Sequence, residues 1–114
     1  MESLTVELGE RSYPLHVGRG LTGEIRKAVE TETAAGRKGA VLVDAGLAAA
    51  QPDFLETALG GLPRLEIPSG EGSKSFAELE HCCDFLGATG IPRDGFVFAV
   101  GGGVTGDLGG FAAA

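Results

Sequence analysis

The 114-residue sequence predicts an α/β fold, in which a parallel sheet carries helices on both faces and an N-terminal β-hairpin precedes the sheet. Two observations support this prediction. Strand and helix patterns alternate along most of the chain, an order typical of parallel sheets with helical connections. The first residues instead show apolar and polar side chains in strict alternation, which is typical of a two-stranded hairpin.

The hairpin pattern covers the first 17 positions. A turn at Gly9, Glu10 and Arg11 separates two stretches in which every second residue is apolar. Because successive side chains of a strand point to opposite faces, these apolar residues share one face. We therefore expect a hairpin with one buried face, formed by Leu4, Val6, Leu8, Tyr13, Leu15 and Val17.

The segment 21–67 predicts helix, strand, helix and strand in turn. Its first helix ends near Gly36 and has one apolar face, formed by Leu21, Ile25, Ala28 and Val29. A short buried strand follows at 40–43, with Asp44 at its carboxyl end. The next helix covers part of 46–60 and is interrupted at Pro52, because proline breaks a helix or begins a new first turn. A further strand covers 64–67.

The segment 75–100 predicts another helix and strand. Ser75 and Glu78 have the capping-box spacing that begins a helix. Neighbouring residues of a helix point in directions about 100° apart, so we expect Cys82 and Cys83 to be free thiols, with one facing the core. Five apolar residues at 96–100 predict a strand buried on both faces. The apolar face of the helix is expected to run through Phe76, Leu79, Cys83 and Leu86.

Composition excludes two classes of partner. The net charge of −7 argues against nucleic acid, because phosphate neutralisation needs clustered Lys and Arg. No apolar run approaches the roughly 20 residues that a membrane-spanning helix needs, and the N-terminus lacks the pattern of a secretory signal. We therefore expect a cytoplasmic protein.

His16 and His81 belong to no cluster with metal-ligand spacing, so we expect no metal site among these residues.

Glycines after the last strand carry the most specific functional information. Gly101, Gly103 and Gly106 have G-x-G-x-x-G spacing between a strand and a helix. Glycine lets an anion approach the main chain closely, and the N–H groups that begin the helix point towards it. This arrangement predicts a diphosphate site, most simply for a dinucleotide, on a Rossmann-like sheet. The alternative is close packing of helix on sheet without a ligand.

The chain ends at Ala114, soon after that helix begins. A dinucleotide-binding unit of Rossmann type needs a further strand and an acidic residue about 20 positions beyond the glycines. We therefore expect residues 1–114 to be an incomplete nucleotide-binding domain from the front of a longer protein.

Three loops fall at the carboxyl ends of predicted strands, where open α/β sheets bind ligands. They cover 44–46, 69–75 and 101–107. In the second loop, Glu71 can accept hydrogen bonds from ribose hydroxyls and Lys74 can supply charge to a phosphate. A solvated turn before a helix is the alternative interpretation of that loop.

Two of these motifs resemble those of a known family. Gly-Gly-Gly-Val-Thr-Gly-Asp-Leu-Gly-Gly-Phe-Ala-Ala-Ala at 101–114 resembles a characteristic segment of 3-dehydroquinate synthases. Pro-Ser-Gly-Glu-Gly-Ser-Lys-Ser at 68–75 resembles that family's Pro-x-Gly-Glu-x-x-Lys-Ser loop. The opening at 8–15 is also similar. The resemblance extends over nearly the whole chain and about the first third of a family member.

The resemblance implies an N-terminal α/β domain that binds NAD, with residues 1–114 as its truncated form. It also implies a C-terminal domain that holds a divalent metal, zinc or cobalt. Such enzymes are lyases of the shikimate pathway of aromatic amino acid biosynthesis. They convert 3-deoxy-D-arabino-heptulosonate 7-phosphate, a sugar phosphate, into 3-dehydroquinate and phosphate. A homodimer is expected for the longer protein.

The resemblance also implies which residues contact the cofactor. Asp44 matches a position near the adenosine ribose, although Gly46 stands where family members often carry Asn. Ser69 and Gly72 stand where Asp and Gln are common. The implied NAD contacts are Asp44, Gly70, Glu71, Lys74, Gly102, Gly103, Val104, Thr105, Gly106 and Asp107.

The family's metal ligands and most substrate-binding residues match no position of this chain. We therefore expect residues 1–114 alone to be inactive and to contribute no catalytic residue. Two alternatives remain open at the level of sequence. One is a related sugar-phosphate cyclase with a different product, and the other is a stand-alone, non-catalytic nucleotide-binding module.

Overall fold

The computed structural model describes residues 2–114, which form two sheets, five α-helices and two short 3-10 helices. The first sheet is a hairpin of β1 (Glu2–Val6) and β2 (Tyr13–Val17). The second contains β3 (Gly39–Asp44), β4 (Arg64–Ile67) and β5 (Phe96–Val100). The helices are α1 (Thr22–Ala34), α2 (Ala45–Ala50), α3 (Pro52–Leu59), α4 (Phe76–Ala88) and α5 (Gly103–Ala113).

The three-stranded sheet has the order β4-β3-β5, and both of its strand pairs are parallel. Val41 lies opposite Arg64 on one side and Phe98 on the other. The central strand β3 is buried from Gly39 to Val43, because it has a neighbour on each edge and helices above and below. A continuous run of small and branched apolar residues suits that position. The mixed α/β class and the parallel sheet are therefore confirmed.

Helices cover both faces of this sheet, as the sequence predicts. Val41 and Val43 face a cluster that includes Val29 of α1 and Leu55 and Leu59 of α3. The intervening residue faces the opposite cluster, because side chains alternate along a strand. That second cluster joins the sheet to α4 and α5 and contains Leu42, Ile67, Cys82 and Leu108.

Most element boundaries agree with the sequence predictions. Gly36 ends the first helix in a left-handed conformation, with φ of +81°. Pro52 begins α3 directly after the short helix α2, so the interruption occurs where proline was expected to cause it. Strand β4 covers Arg64–Ile67.

The N-terminal hairpin is confirmed, but the prediction that one face is buried is wrong. Strands β1 and β2 pair antiparallel, with Leu4 opposite Leu15. Leu4 is 65% exposed and Val17 is 67% exposed. The reason is that the hairpin forms a separate sheet, and neither core cluster found among residues 2–114 includes one of its side chains.

The prediction that 96–100 is buried on both faces is also wrong. Strand β5 lies at the edge of the sheet, its residues are half-buried, and Ala99 is exposed. The strand buried on both faces is β3. An apolar run predicts a strand in a covered sheet, but it does not determine whether that strand lies at the centre or at the edge.

Helix α4 begins as predicted, but its apolar face differs. The Ser75 hydroxyl accepts a hydrogen bond from the Glu78 N–H at 3.2 Å. Both cysteines are free, and Cys82, not Cys83, is the buried one. Phe76, the first residue of α4, is 89% exposed. The buried face therefore passes through Leu79, Cys82 and Leu86.

None of the helices within residues 2–114 is both long enough and apolar enough to cross a membrane.

Candidate functional site

The three loops predicted to form a site lie along one edge of the sheet. They follow β3, β4 and β5, and parallel strands present their carboxyl ends on the same side. Asp44 and Gly101, from the first and third loops, are in contact: a Cβ built on Gly101 would lie 3.0 Å from the Cβ of Asp44. The loops after β3 and β5 therefore meet directly.

The order in which strands are added to the sheet changes direction at the edge between β3 and β5. From β3 the chain moves outwards to β4, then returns across β3 to β5 on the other side. Helix α2 packs with the cluster on one face and α5 with the cluster on the other. Connections that leave neighbouring strands towards opposite faces open a crevice between them, and open α/β sheets bind ligands there.

Asp44 connects the first loop to the second through its Oδ2 atom. Oδ2 accepts hydrogen bonds from the Leu47 N–H at 3.0 Å and from the Ser69 hydroxyl at 2.9 Å. The Gly46 N–H donates to the Ser69 oxygen at 3.1 Å. The Leu47 N–H, and next the Ser69 hydroxyl, hold the pKa of the Asp44 carboxyl below its usual value. The carboxylate is therefore ionised and oriented.

Lys74 connects the second loop to the third. Its Nζ atom lies 2.9 Å from Oδ2 of Asp107, and both side chains are more than half exposed. The hydrogen bond and the negative charge of Asp107 raise the pKa of Lys74, with a smaller effect from Glu71. The two residues predicted to contact a ligand thus form an ion pair that a ligand can approach from solvent.

Helix α5 presents free N–H groups towards the crevice. Gly102 is its N-cap residue, and the first intrahelical bond runs from the Gly106 N–H to the Gly102 carbonyl at 3.1 Å. The N–H groups of Gly103, Val104 and Thr105 precede that bond, and none has a hydrogen-bond partner among residues 2–114. They can donate to an anion placed at the end of the helix.

Space is open above the same turn. A Cβ built on Gly102, Gly103 or Gly106 would meet no atom within 4 Å. These glycines are therefore not required by contacts within the chain, whereas a bulky anion close to the backbone would require them. Gly101 differs, because its φ of +154° disfavours a side chain and the Thr105 hydroxyl would lie only 2.8 Å from an added Cβ.

Close packing of α5 on the sheet depends on a glycine outside the motif. A Cβ on Gly109 would lie 2.7 Å from the Cβ of Ala99. The third glycine of a dinucleotide motif normally provides this close approach, but Gly106 faces open space here. Close packing therefore explains why position 109 is glycine. It does not explain the glycines at 102, 103 and 106, which need another reason.

The remaining predicted contacts fall into two groups. Gly70 has φ of +102° and precedes Glu71, which is exposed at the start of a short 3-10 turn. Thr105 is buried, with 2% exposure, and Val104 packs against the core. The Thr105 side chain is therefore not available to a ligand, and the Val104 side chain is only partly exposed.

Two serines of the second loop have structural roles that motif spacing did not indicate. The Ser73 hydroxyl donates to the Pro68 carbonyl, and Ser73 is buried. Ser69 joins the loop to Asp44. Serine hydroxyls often form local bonds in turns, so the Pro-Ser-Gly-Glu-Gly-Ser composition could have indicated the role of Ser73, but not the bond from Ser69 to the distant Asp44.

An open groove of about 280 Å³ adjoins the ion pair, and its walls are mainly apolar. It lies between the first turn of α4 and the exposed side of α5. The lining residues are Lys74, Ser75, Phe76, Leu79, Asp107, Leu108 and Phe111.

No group of three or more His, Cys, Asp or Glu side chains that could hold a metal ion occurs within residues 2–114. His16 hydrogen-bonds to Ser3 in the hairpin, and His81 lies beside Glu78 on α4.

Comparisons with known proteins agree on one family. Residues 64–114 match the family described as 3-dehydroquinate synthase N-terminal. A 3-dehydroquinate synthase of Opitutus terrae is 47% identical over 112 residues, covering 98% of this chain and 31% of the relative. Those of Rhodospirillum rubrum and Paracoccus denitrificans are 44% and 41% identical and cover 97% and 100% of this chain.

The chain spans about a third of the length of these relatives, namely 30% and 32% of the latter two. The matching family region includes the second and third loops and the whole of α5. The chain therefore belongs to the 3-dehydroquinate synthase family and corresponds to its N-terminal portion.

Proposed function

We propose that this chain is the NAD-binding part of a 3-dehydroquinate synthase and that its Rossmann-like sheet is part of a larger domain. One observation carries the proposal: three loops rich in glycine and charge converge at the carboxyl edge of the sheet, beside open space and unpaired N–H groups. The names of the relatives support the choice of a 3-dehydroquinate synthase as the enzyme.

The residues present fit NAD. The free N–H groups of Gly103, Val104 and Thr105 suit a pyrophosphate, which the open space above Gly102 and Gly106 can admit. The carboxylate of Asp44 suits an adenosine ribose, because a carboxylate accepts hydrogen bonds from hydroxyls. Lys74 of the second loop reaches Asp107 of α5 and can supply charge to the phosphates, and Glu71 of the same loop can accept hydrogen bonds from hydroxyls.

We place the nicotinamide end of NAD, opposite the adenosine, on the side of Asp107. The groove beside Asp107 has mainly apolar walls, and an apolar surface favours a planar ring with few polar groups. NAD when bound supplies transient oxidation of a substrate hydroxyl, which is the chemistry of the cofactor itself. The chain's own contribution is to bind and orient it.

The longer protein is proposed to convert 3-deoxy-D-arabino-heptulosonate 7-phosphate into 3-dehydroquinate and phosphate. The zinc or cobalt ion and most substrate contacts would then come from residues outside this chain, because residues 2–114 offer no metal-ligand cluster. Cytoplasmic localisation, a homodimer and the inactivity of residues 1–114 alone stay predictions.

Titration calorimetry with NAD tests the proposal on the full-length protein. Gly103→Val is expected to reduce NAD affinity roughly 100-fold or more, the equivalent of two lost charge-assisted hydrogen bonds. The Cβ of the valine meets no protein atom within 4 Å. A loss of NAD affinity would therefore show that the side chain occupies space that NAD needs.

Gly23→Val is the matched control for that titration. Gly23 also lies in the first turn of a helix, α1, and a Cβ there also meets nothing within 4 Å. This variant should bind NAD as the wild type does. Equal NAD affinity in Gly103→Val and wild type would contradict the proposed site.

A further inference from the structure

We propose that Ser69 is a positioning residue for a ribose hydroxyl, acting through Asp44, and that Gly46 is the residue that makes this possible. The inference rests on the proposed function, because it concerns the adenosine end of the same site. Neither Ser69 nor Gly46 is expected to touch the ligand. Together they fix the carboxylate that does.

The hydrogen bonds within the described residues engage only one of the two carboxylate oxygens of Asp44. Oδ2 already accepts from Leu47 and from Ser69, at 3.0 Å and 2.9 Å. Oδ1 has no hydrogen-bond partner among residues 2–114. A carboxylate held through one oxygen presents the other in a fixed direction, so Oδ1 is available to accept from a hydroxyl.

The Ser69 hydroxyl is itself oriented. It receives a hydrogen bond from the Gly46 N–H at 3.1 Å and therefore directs its own hydrogen to Asp44. The bonds thus run in one direction, from the main chain to Ser69 and from Ser69 to the carboxylate. Bonds arranged in this way strengthen one another.

Glycine at position 46 provides the space for this arrangement. A Cβ there would lie 2.9 Å from the Ser69 hydroxyl oxygen and 3.0 Å from Oδ2 of Asp44. Any larger residue must push one of these groups aside. Ser69 and Gly46 therefore form a matched pair, and changing either one should disturb Asp44 in the same way.

The test compares two probes, ADP and 2′,3′-dideoxy-ADP, which lacks the ribose hydroxyls. Calorimetric titration of the full-length protein is expected to show tighter binding of ADP. Ser69→Ala should weaken ADP about two- to tenfold, the effect of one hydrogen bond, and leave the dideoxy probe unchanged. Gly46→Ala should behave likewise, and Ser69→Thr, which keeps the hydroxyl, should retain most of the ADP affinity.

Two controls separate positioning from a general loosening of the loop. In an Asp44→Ala background, Ser69→Ala should cause no additional loss of ADP affinity. Ser12→Ala removes an exposed, locally bonded serine of the hairpin and should leave both probes unaffected.

Equal weakening of both probes by Ser69→Ala would overturn the inference and leave the proposed function intact. Equal affinity of wild type for the two probes would also overturn it, because Asp44 would then not contact the ribose. Absence of any binding of either probe to wild type would instead contradict the proposed function itself.

Discussion

Lys74 and Asp107 show how single residues of separate loops come to share one site. They are 33 positions apart in the chain, yet their charged atoms lie 2.9 Å apart. The pair is exposed, so its own effect on folding is small. Its importance is that it brings a cation from the second loop to α5, the helix that presents the free N–H groups.

Lys74→Ala is expected to weaken NAD binding by roughly 10- to 150-fold, the usual effect of losing a charged hydrogen bond. Lys38→Ala is the control. Lys38 is an exposed residue just before β3, at the opposite end of that strand from the site, so its removal should leave NAD affinity unchanged. Titration calorimetry measures both. Similar affinities for the two variants would show that the second loop is not part of the site.

Helix α5 and strand β5 show how a packing requirement can lie beside a proposed binding motif. Gly109 allows the helix to approach Ala99, whereas Gly102, Gly103 and Gly106 face open space. The two kinds of glycine lie within a few residues of each other and look alike in the sequence. Only the structure distinguishes the glycine that packs from those that leave room for a ligand.

Gly109→Ala is expected to destabilise the protein by about 1–3 kcal/mol, because the added methyl group overpacks the helix against the sheet. Gly110→Ala is the matched control in the next position of α5, where a Cβ meets nothing within 4 Å. There the same change should stabilise the helix by about 0.5–1 kcal/mol. Urea unfolding followed by circular dichroism measures both, and a stabilised Gly109→Ala variant would contradict the packing described here.

Over the whole described chain, stability is centred on β3. Its side chains join the clusters on the two faces of the sheet, whereas the N-terminal hairpin contributes to neither. A two-stranded hairpin has little stability of its own. The molecule therefore combines a firmly packed α/β unit with a hairpin that is held mainly by its own strand pairing.

Leu42→Ala should lower the free energy of unfolding by about 2–5 kcal/mol, since Leu42 is fully buried in β3. Leu15→Ala, in the hairpin, should change it by no more than about 0.5 kcal/mol, because Leu15 is 44% exposed. Thermal and urea unfolding provide the comparison. If Leu15→Ala lowered the free energy of unfolding about as much as Leu42→Ala, the hairpin would have to pack into the core.

Local patterns predicted most of the fold, and tertiary context decided the rest. Pro52, Gly36 and Ser75 act within a few residues of themselves, so the sequence locates the boundaries that they set. Burial of the hairpin and of β5 depends on which elements become neighbours, and periodicity does not specify neighbours. Both expectations failed for that reason.

The candidate site, like the fold, could be predicted from the sequence only in part. Loops at the ends of parallel strands were expected to lie together, and Asp44, Lys74 and Asp107 are indeed connected across them. The role of Ser69 was missed, because it needs a partner 25 positions away. Its short, polar side chain gave only a general indication of a turn.

A crystal structure of the full-length protein with NAD bound would test the proposed site at every one of its contacts. We expect the pyrophosphate within hydrogen-bond distance of the Gly103 and Val104 N–H groups, the adenosine ribose at Asp44, and the nicotinamide on the Asp107 side. NAD bound elsewhere, with the first turn of α5 unoccupied, would contradict the claim that the three loops form its site.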